Sequence, residues 1–182
     1  MTYPGHIATS YLITSGLISL IPQSVGLPHI EVWYGIGFVA AILPDLDFIP
    51  FFLKHRAIRY KSDDSHRKYV THAPFLWFLI CAAIGLIGLI LGSTLTVVGS
   101  FIVFANILGH FIGDSIEYGI MWLWPFSRRQ YSIHGVSRDN LDNVAGGFIR
   151  YFWRFFIDVY IKHWTFYVEI VIVIIALHVA LQ

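Results

Sequence analysis

The chain has 182 residues, of which 57% are hydrophobic, 17% aromatic and only 13% charged, with a net charge of +1. An ordinary soluble domain carries about 25% charged residues, so this composition and a mean hydropathy of +0.67 predict an all-α, polytopic membrane protein forming one domain over 1–182. A near-neutral net charge gives no reason to expect a nucleic-acid partner, and Cys81, the single cysteine, excludes an intramolecular disulfide.

A membrane helix needs roughly 20 apolar residues. The N-terminus, "MTYPGHIATSYL", has no basic segment and is not read as a signal peptide. Ile7–Ile21 is a short first span, rich in Ser and Thr. Val32–Leu53 is a second, interrupted by "LPDLD". Pro44 biases Leu43 away from helix; if the segment is extended, Asp45 and Asp47 point the same way, and if helical, to different sides. The plain alternative makes Pro-Asp the start of a short helix with Asp as its cap. Irregular backbone carrying two carboxylates at membrane depth more often lines a cavity.

The next segment, "DDSHRKYVTH", holds His66, Arg67 and His72 in a basic loop. Ala73–Leu91 is a third span without any charge. Leu95–Ile112 is a fourth, with Asn106 and His110 as its polar members and Asp114 just beyond. His110 and Asp114 stand four apart and share a helix face; they read either as a hydrogen-bonded pair at the water boundary or as two metal ligands. In 147–163, Arg150, Arg154, Asp158 and Lys162 recur every four residues. This predicts an amphipathic helix in the membrane interface, or an extension of the last span. That fifth span is 164–181, where Glu169 and His178 are read as packing or pairing locally.

All 12 Lys and Arg fall in Lys54–Lys68 and Arg128–Lys162. With five spans, both segments lie on one face together with the N-terminus, and the positive-inside rule makes that face cytoplasmic. His6, Asp45, Asp47, His66, His72, His110 and Asp114 then converge on that face from separate parts of the chain.

"GFVAAILPDLD", "HRKYVTH", "GHFIGDS" and "LWPFS", preceded by His6, resemble in order the YdjM-like membrane-bound metal-dependent hydrolases of prokaryotes, over about 6–127. The ligand pattern is also similar to zinc-dependent phospholipase C. The resemblance implies a multi-pass inner-membrane protein with His6, Asp45, Asp47, His66, His72, His110 and Asp114 as metal ligands. The family's loop histidines commonly stand five apart, whereas His66 and His72 are six apart, and the segment 130–163 matches no part of the family pattern.

Seven such ligands exceed the needs of one tetrahedral zinc. Mixed imidazole and carboxylate donors suit Zn, with Mn or Fe as alternatives, over Mg or Ca. Two or more metals clamp the oxygens of a displacement on phosphorus. In that scheme Asp45 or Asp47 bridges the metals while the other orients or deprotonates water, and Arg67 holds a phosphate oxygen. The expected partners are the bilayer and a phosphoester substrate, lipid or lipid-linked. The competing expectations are a non-catalytic metal-binding or metal-transporting membrane protein, and a structural one whose His and Asp cap helices.

Overall fold

The computed structural model describes residues 2–55, 66–117, 119–133 and 148–182. These are helices and short turns, with one isolated antiparallel bridge from Ile120 to Tyr131. The expectation of an all-α membrane protein holds.

Helix α1 (Tyr3–Leu20) has a proline in its first turn, where the missing N–H is no loss. Helix α2 (Ile30–Ile42) tightens into a 3₁₀ turn at Leu43–Asp47 and continues as α3 (Phe48–His55). Pro44 therefore tightens the helix without breaking it, and the run Ile30–Lys54 stays one apolar helical stretch of 25 residues. Helices α4 (Pro74–Ile90) and α5 (Thr94–Glu117) form a hairpin. Gly92 turns it at φ +64, a left-handed value that suits glycine. A Cβ on Gly88 would lie 3.0 Å from Thr96 and Val97, so small residues let the two backbones approach.

Helix α6 (Phe148–Arg154) runs through a π-helical stretch, Phe155–Val159, and a 3₁₀ turn, Tyr160–Lys162. The chain then bends by 75° into α7 (Trp164–Ala180). Arg150, Arg154, Asp158 and Lys162 are exposed, as are the apolar Ile149, Trp153 and Phe156, while Tyr160 is buried. The expected start of that helix at Gly147 lies outside the described residues.

Two helices are long and apolar enough to cross a membrane, Ile30–Lys54 and Thr94–Ile116, and a third is added if the bent pair ending in α7 is one span. The apolar helix Pro74–Ile90 is shorter, and α1 contains several Ser, Thr and Gly. A buried cluster of Ala40, Ile107, Phe111 and Ile120 joins α2 to α5 and to the residues after it.

Two polar contacts lock this bundle. Glu169 of α7 is buried and accepts from the N–H groups of Thr2 (3.2 Å) and Gly5 (2.8 Å) and from the hydroxyls of Thr2 and Tyr160. α1 has no side-chain cap from Thr2, so Glu169 satisfies its first N–H groups from another helix. Further along, Asn106 of α5 donates to Thr14 Oγ1 of α1 at 3.1 Å and to Ile102 O at 2.9 Å. Gly37 of α2 lies over this pair: a Cβ there would meet Thr14 Oγ1 at 2.2 Å and Asn106 Nδ2 at 3.1 Å.

Gly37→Ala should therefore force Thr14 off Asn106. A loss of about 1–3 kcal/mol is expected for such overpacking, read as a lower unfolding midpoint of the detergent-solubilised protein. An unchanged midpoint would refute the contact.

Candidate metal centre

Five short elements supply the site. Asp45 and Asp47 stand on the 3₁₀ turn after α2, and His72 ends the turn Val70–His72 just before α4. His110 and Asp114 lie on the last turns of α5, His6 in the first turns of α1, and Arg67 in the turn His66–Lys68.

Asp45, His72, His110 and Asp114 each offer one donor atom, and these atoms all lie within 4.8 Å of one another. His72 Nε2 is 3.4 Å and His110 Nε2 3.7 Å from Asp45 Oδ1, and His110 Nε2 is 3.9 Å from Asp114 Oδ2. Donors around a tetrahedral zinc with bonds of about 2.0–2.1 Å lie about 3.3 Å apart. The donor set is thus slightly wider than a closed zinc site, with the N₂O₂ chemistry of a transition-metal centre.

The histidines are held for this role. His110 Nδ1 donates to Ala41 O at 2.7 Å, which leaves Nε2 as a lone pair facing the carboxylates. Among the described residues that Nε2 makes no hydrogen bond. His72 Nδ1 donates to Asp47 Oδ2 at 2.7 Å, and Nε2 faces Asp45. Metal-binding histidines are oriented in this manner, by a carboxylate or carbonyl on the far nitrogen. Burial disfavours a charged His72, but the hydrogen bonds from Asp45 and Asp47 outweigh it and raise its pKa above the ordinary value. His72 thus sits in a field, set by Asp45 and Asp47, that favours positive charge.

The 3₁₀ turn resolves the ambiguity of "LPDLD". Asp45 and Asp47 straddle the His72 ring, one on each nitrogen. The Thr71 hydroxyl also donates to Asp47 Oδ2, and Trp77 Nε1 holds the Thr71 carbonyl at 2.7 Å. Asp47 therefore stands behind His72 and outside the four-residue group.

His6 borders the group. Its ring stacks on His110 with centroids 4.1 Å apart, and its Nε2 lies 3.3 Å from Asp114 Oδ1. Asp114 thus turns its two oxygens to different partners, Oδ1 to His6 and Oδ2 to His110. Arg67 Nε donates to the same Oδ2 at 2.6 Å. The side chain of His66 lies outside the described residues. His6, His72, His110 and Asp114 are buried, and Asp45, with 10% of its side chain exposed, is the least buried of the four residues of the group.

The orienting groups, the Ala41 carbonyl and Thr71, carry no signal in the sequence. Glu169 did carry one, as a lone acid in an apolar helix. Its cap on Gly5 seats the turn that presents His6. His6, Ser10 and Thr14 on α1 face Asn106, His110 and Asp114 on α5, two buried rows of polar residues spaced by four.

A family model described as YdjM inner membrane protein matches residues 1–182. No curated protein and no solved structure matches the chain.

Ligand and orienting roles separate on metal titration of the purified protein against a competing chelator. His110→Ala and Asp114→Asn should abolish tight binding of zinc. Asp47→Asn, which removes only the support behind His72, should weaken it about 10–100-fold. Equal losses for Asp47→Asn and His110→Ala would make Asp47 a direct ligand.

Proposed function

Because the chain belongs to the YdjM inner membrane protein family, its chemistry operates in a membrane, and we propose that it is a metal-dependent hydrolase of a phosphoester, lipid or lipid-linked, at the cytoplasmic membrane face. The observation that carries this reading is the convergence of Asp45, His72, His110 and Asp114 within 4.8 Å, with both imidazoles turned so that Nε2 faces the carboxylates. An orienting partner behind each histidine is the arrangement of a metal site, and hydrogen-bonded helix caps alone do not require it.

Bound zinc, or Mn or Fe, supplies Lewis acidity toward a phosphoryl oxygen and a nucleophile at neutral pH. Asp45, His72, His110 and Asp114 hold the first ion. His6 and Oδ1 of Asp114, 3.3 Å apart, would be the residues available to hold a second ion. Asp47 fixes the His72 tautomer. Arg67 neutralises Asp114 Oδ2 at 2.6 Å, and its fork geometry would suit a phosphoryl oxygen of the substrate. His66 stays in the proposed ligand set on the strength of the resemblance. Asp45, the least buried of the four, is where substrate would meet the site.

The second reading is a membrane protein that binds or moves a metal without hydrolysis. It is favoured by the buried rows Ser10, Thr14 and Asn106, which extend polar character from the site into the bundle. The rows stop there: Ile102, one turn beyond Asn106, is fully buried and apolar, so no through path is evident among the described residues.

Topology carries the cytoplasmic assignment. Five crossings, the proposed count against the two or three span-length helices of the fold, would place the N-terminus and both basic segments inside. Reporter fusions at Arg138 and Gln182 should then lie on opposite sides of the membrane; the same side for both would overturn it.

Hydrolysis is tested in membranes supplied with Zn or Mn, with lipid phosphoesters compared against soluble ones. Asp45→Asn and His110→Ala should lose activity and bound metal together. Arg67→Ala should keep its metal and lose at least tenfold in kcat/KM, about 1.4 kcal/mol of transition-state stabilisation. His29→Ala, far from the site, should match wild type. Stoichiometric metal without hydrolysis of either substrate class would decide for the second reading.

A further inference from the structure

The motif "LWPFS" takes no part in the metal centre, yet the structure builds a defined loop around it. At the end of α5 the chain turns at Gly119, φ +85, and folds back so that Ile120 pairs with Tyr131. Both limbs are fastened to one residue of α5. Trp122 Nε1 donates to Ser115 Oγ at 2.7 Å, and Ile133 N–H donates to Ser115 O at 2.8 Å. Ile120 and Met121 are buried against the bundle. The rest of the loop turns its apolar residues outward: Phe126 is 92% exposed, Ile133 80% and Leu123 53%. Arg128 and Arg129 follow at once and are also exposed, Arg129 lying over the Tyr131 ring at 5.5 Å.

A span-length helix ends at Ile116, and Ser115, one residue earlier, holds both limbs, so the loop is tied to the membrane boundary. An exposed aromatic and aliphatic tip with two adjacent arginines matches the chemistry of that boundary. Aromatic rings favour the headgroup level, apolar side chains gain by entering the acyl edge, and each cation near an anionic leaflet contributes about 1 kcal/mol. In water the same tip would leave a phenylalanine almost wholly solvated beside Leu123 and Ile133.

We infer that the loop 119–133 is a membrane-interface anchor, with Leu123 and Phe126 inserted in the leaflet and Arg128 and Arg129 on its anionic phosphates. The occupant of this surface is the lipid bilayer that surrounds α5. The anchor also sets the level of the candidate site, because Gln130 Nε2 donates to Arg67 O at 3.2 Å and to Gly119 O at 3.4 Å. Arg67 is thereby held beside the headgroups. The inference rests on the membrane setting and not on metal or catalysis, so the two proposals fail separately.

The test uses the full chain with Cys81→Ala as background and a nitroxide attached at Phe126→Cys, in vesicles of phosphatidylcholine and phosphatidylglycerol. Phe126 touches little else, so this change leaves the fold intact; Leu123→Cys is the second labelled position. Power saturation should show oxygen collisions dominating over those of a water-soluble nickel chelate, by several-fold relative to a label at Gln23→Cys, an exposed turn residue. Adding Arg128→Ala and Arg129→Ala should make the label shallower in these vesicles. Nickel accessibility equal to that of the Gln23 position overturns the inference. A label shielded from both reagents would mean that protein covers the loop and overturns it as well. Unchanged depth without the arginines removes their assigned role.

Discussion

A polar group carried into an apolar bundle must find its partner inside that bundle, because lipid offers none. That constraint organises this chain. Its buried carboxylates, imidazoles and amide each recur at a place where two or three helices meet. Glu169 gathers the orphan N–H groups of α1 and the Tyr160 hydroxyl. Asn106 binds Thr14 across the α1–α5 contact. Asp45, Asp47 and Asp114 close around His6, His72 and His110. Most of these contacts join segments far apart in the chain, as Glu169 to Gly5, Asn106 to Thr14 and Asp114 to His6 do, so the polar groups that burden membrane insertion also specify which helices pack together.

The candidate site inherits its order from this packing. His110 Nδ1 is fixed by a carbonyl on α2, His72 Nδ1 by Asp47, and His6 by its stack on His110 and by the capped turn that bears it. Three side chains from three elements therefore meet with their rotamers set by other contacts. That pre-organisation separates a centre able to hold an ion from a chance gathering of histidines and aspartates at a helix end. Arg67 on Asp114 adds a positive group whose position depends on the loop after α5 through Gln130. The site and the membrane-facing loop thus share a wall.

Composition and the long apolar runs made the helical membrane character legible, since 13% charged residues is about half of what a typical soluble domain carries. The four-residue spacing of Arg150, Arg154, Asp158 and Lys162 made a helical segment legible, and the chain there is helical, though it passes from α through π to 3₁₀ turns. The fall of Lys and Arg gathered His6, Asp45, Asp47, His66, His72, His110 and Asp114 on one face; of these the structure brings Asp45, His72, His110 and Asp114 together, with His6 beside them and Asp47 behind His72. The two alternatives for "LPDLD" stayed open because a proline after a leucine fits both a tightened helix and an extended break. The neighbouring helical turns favoured the tightened one.

What the sequence determined by itself is therefore which stretches are helical and apolar, and at which helix ends the ionisable residues stand. The tertiary structure alone decided rotation and rotamer. It put Asp47 behind His72 and Asp45 in front of it, turned the two oxygens of Asp114 to different histidines, and sent Glu169 to the start of α1. The physical reason is that hydrophobic periodicity is a property of one helix against its surroundings. The choice of which donor faces which acceptor is a property of two or three helices at once, and it is made by close contacts such as Gly37 on Thr14 and Gly5 on Glu169 that no single segment records.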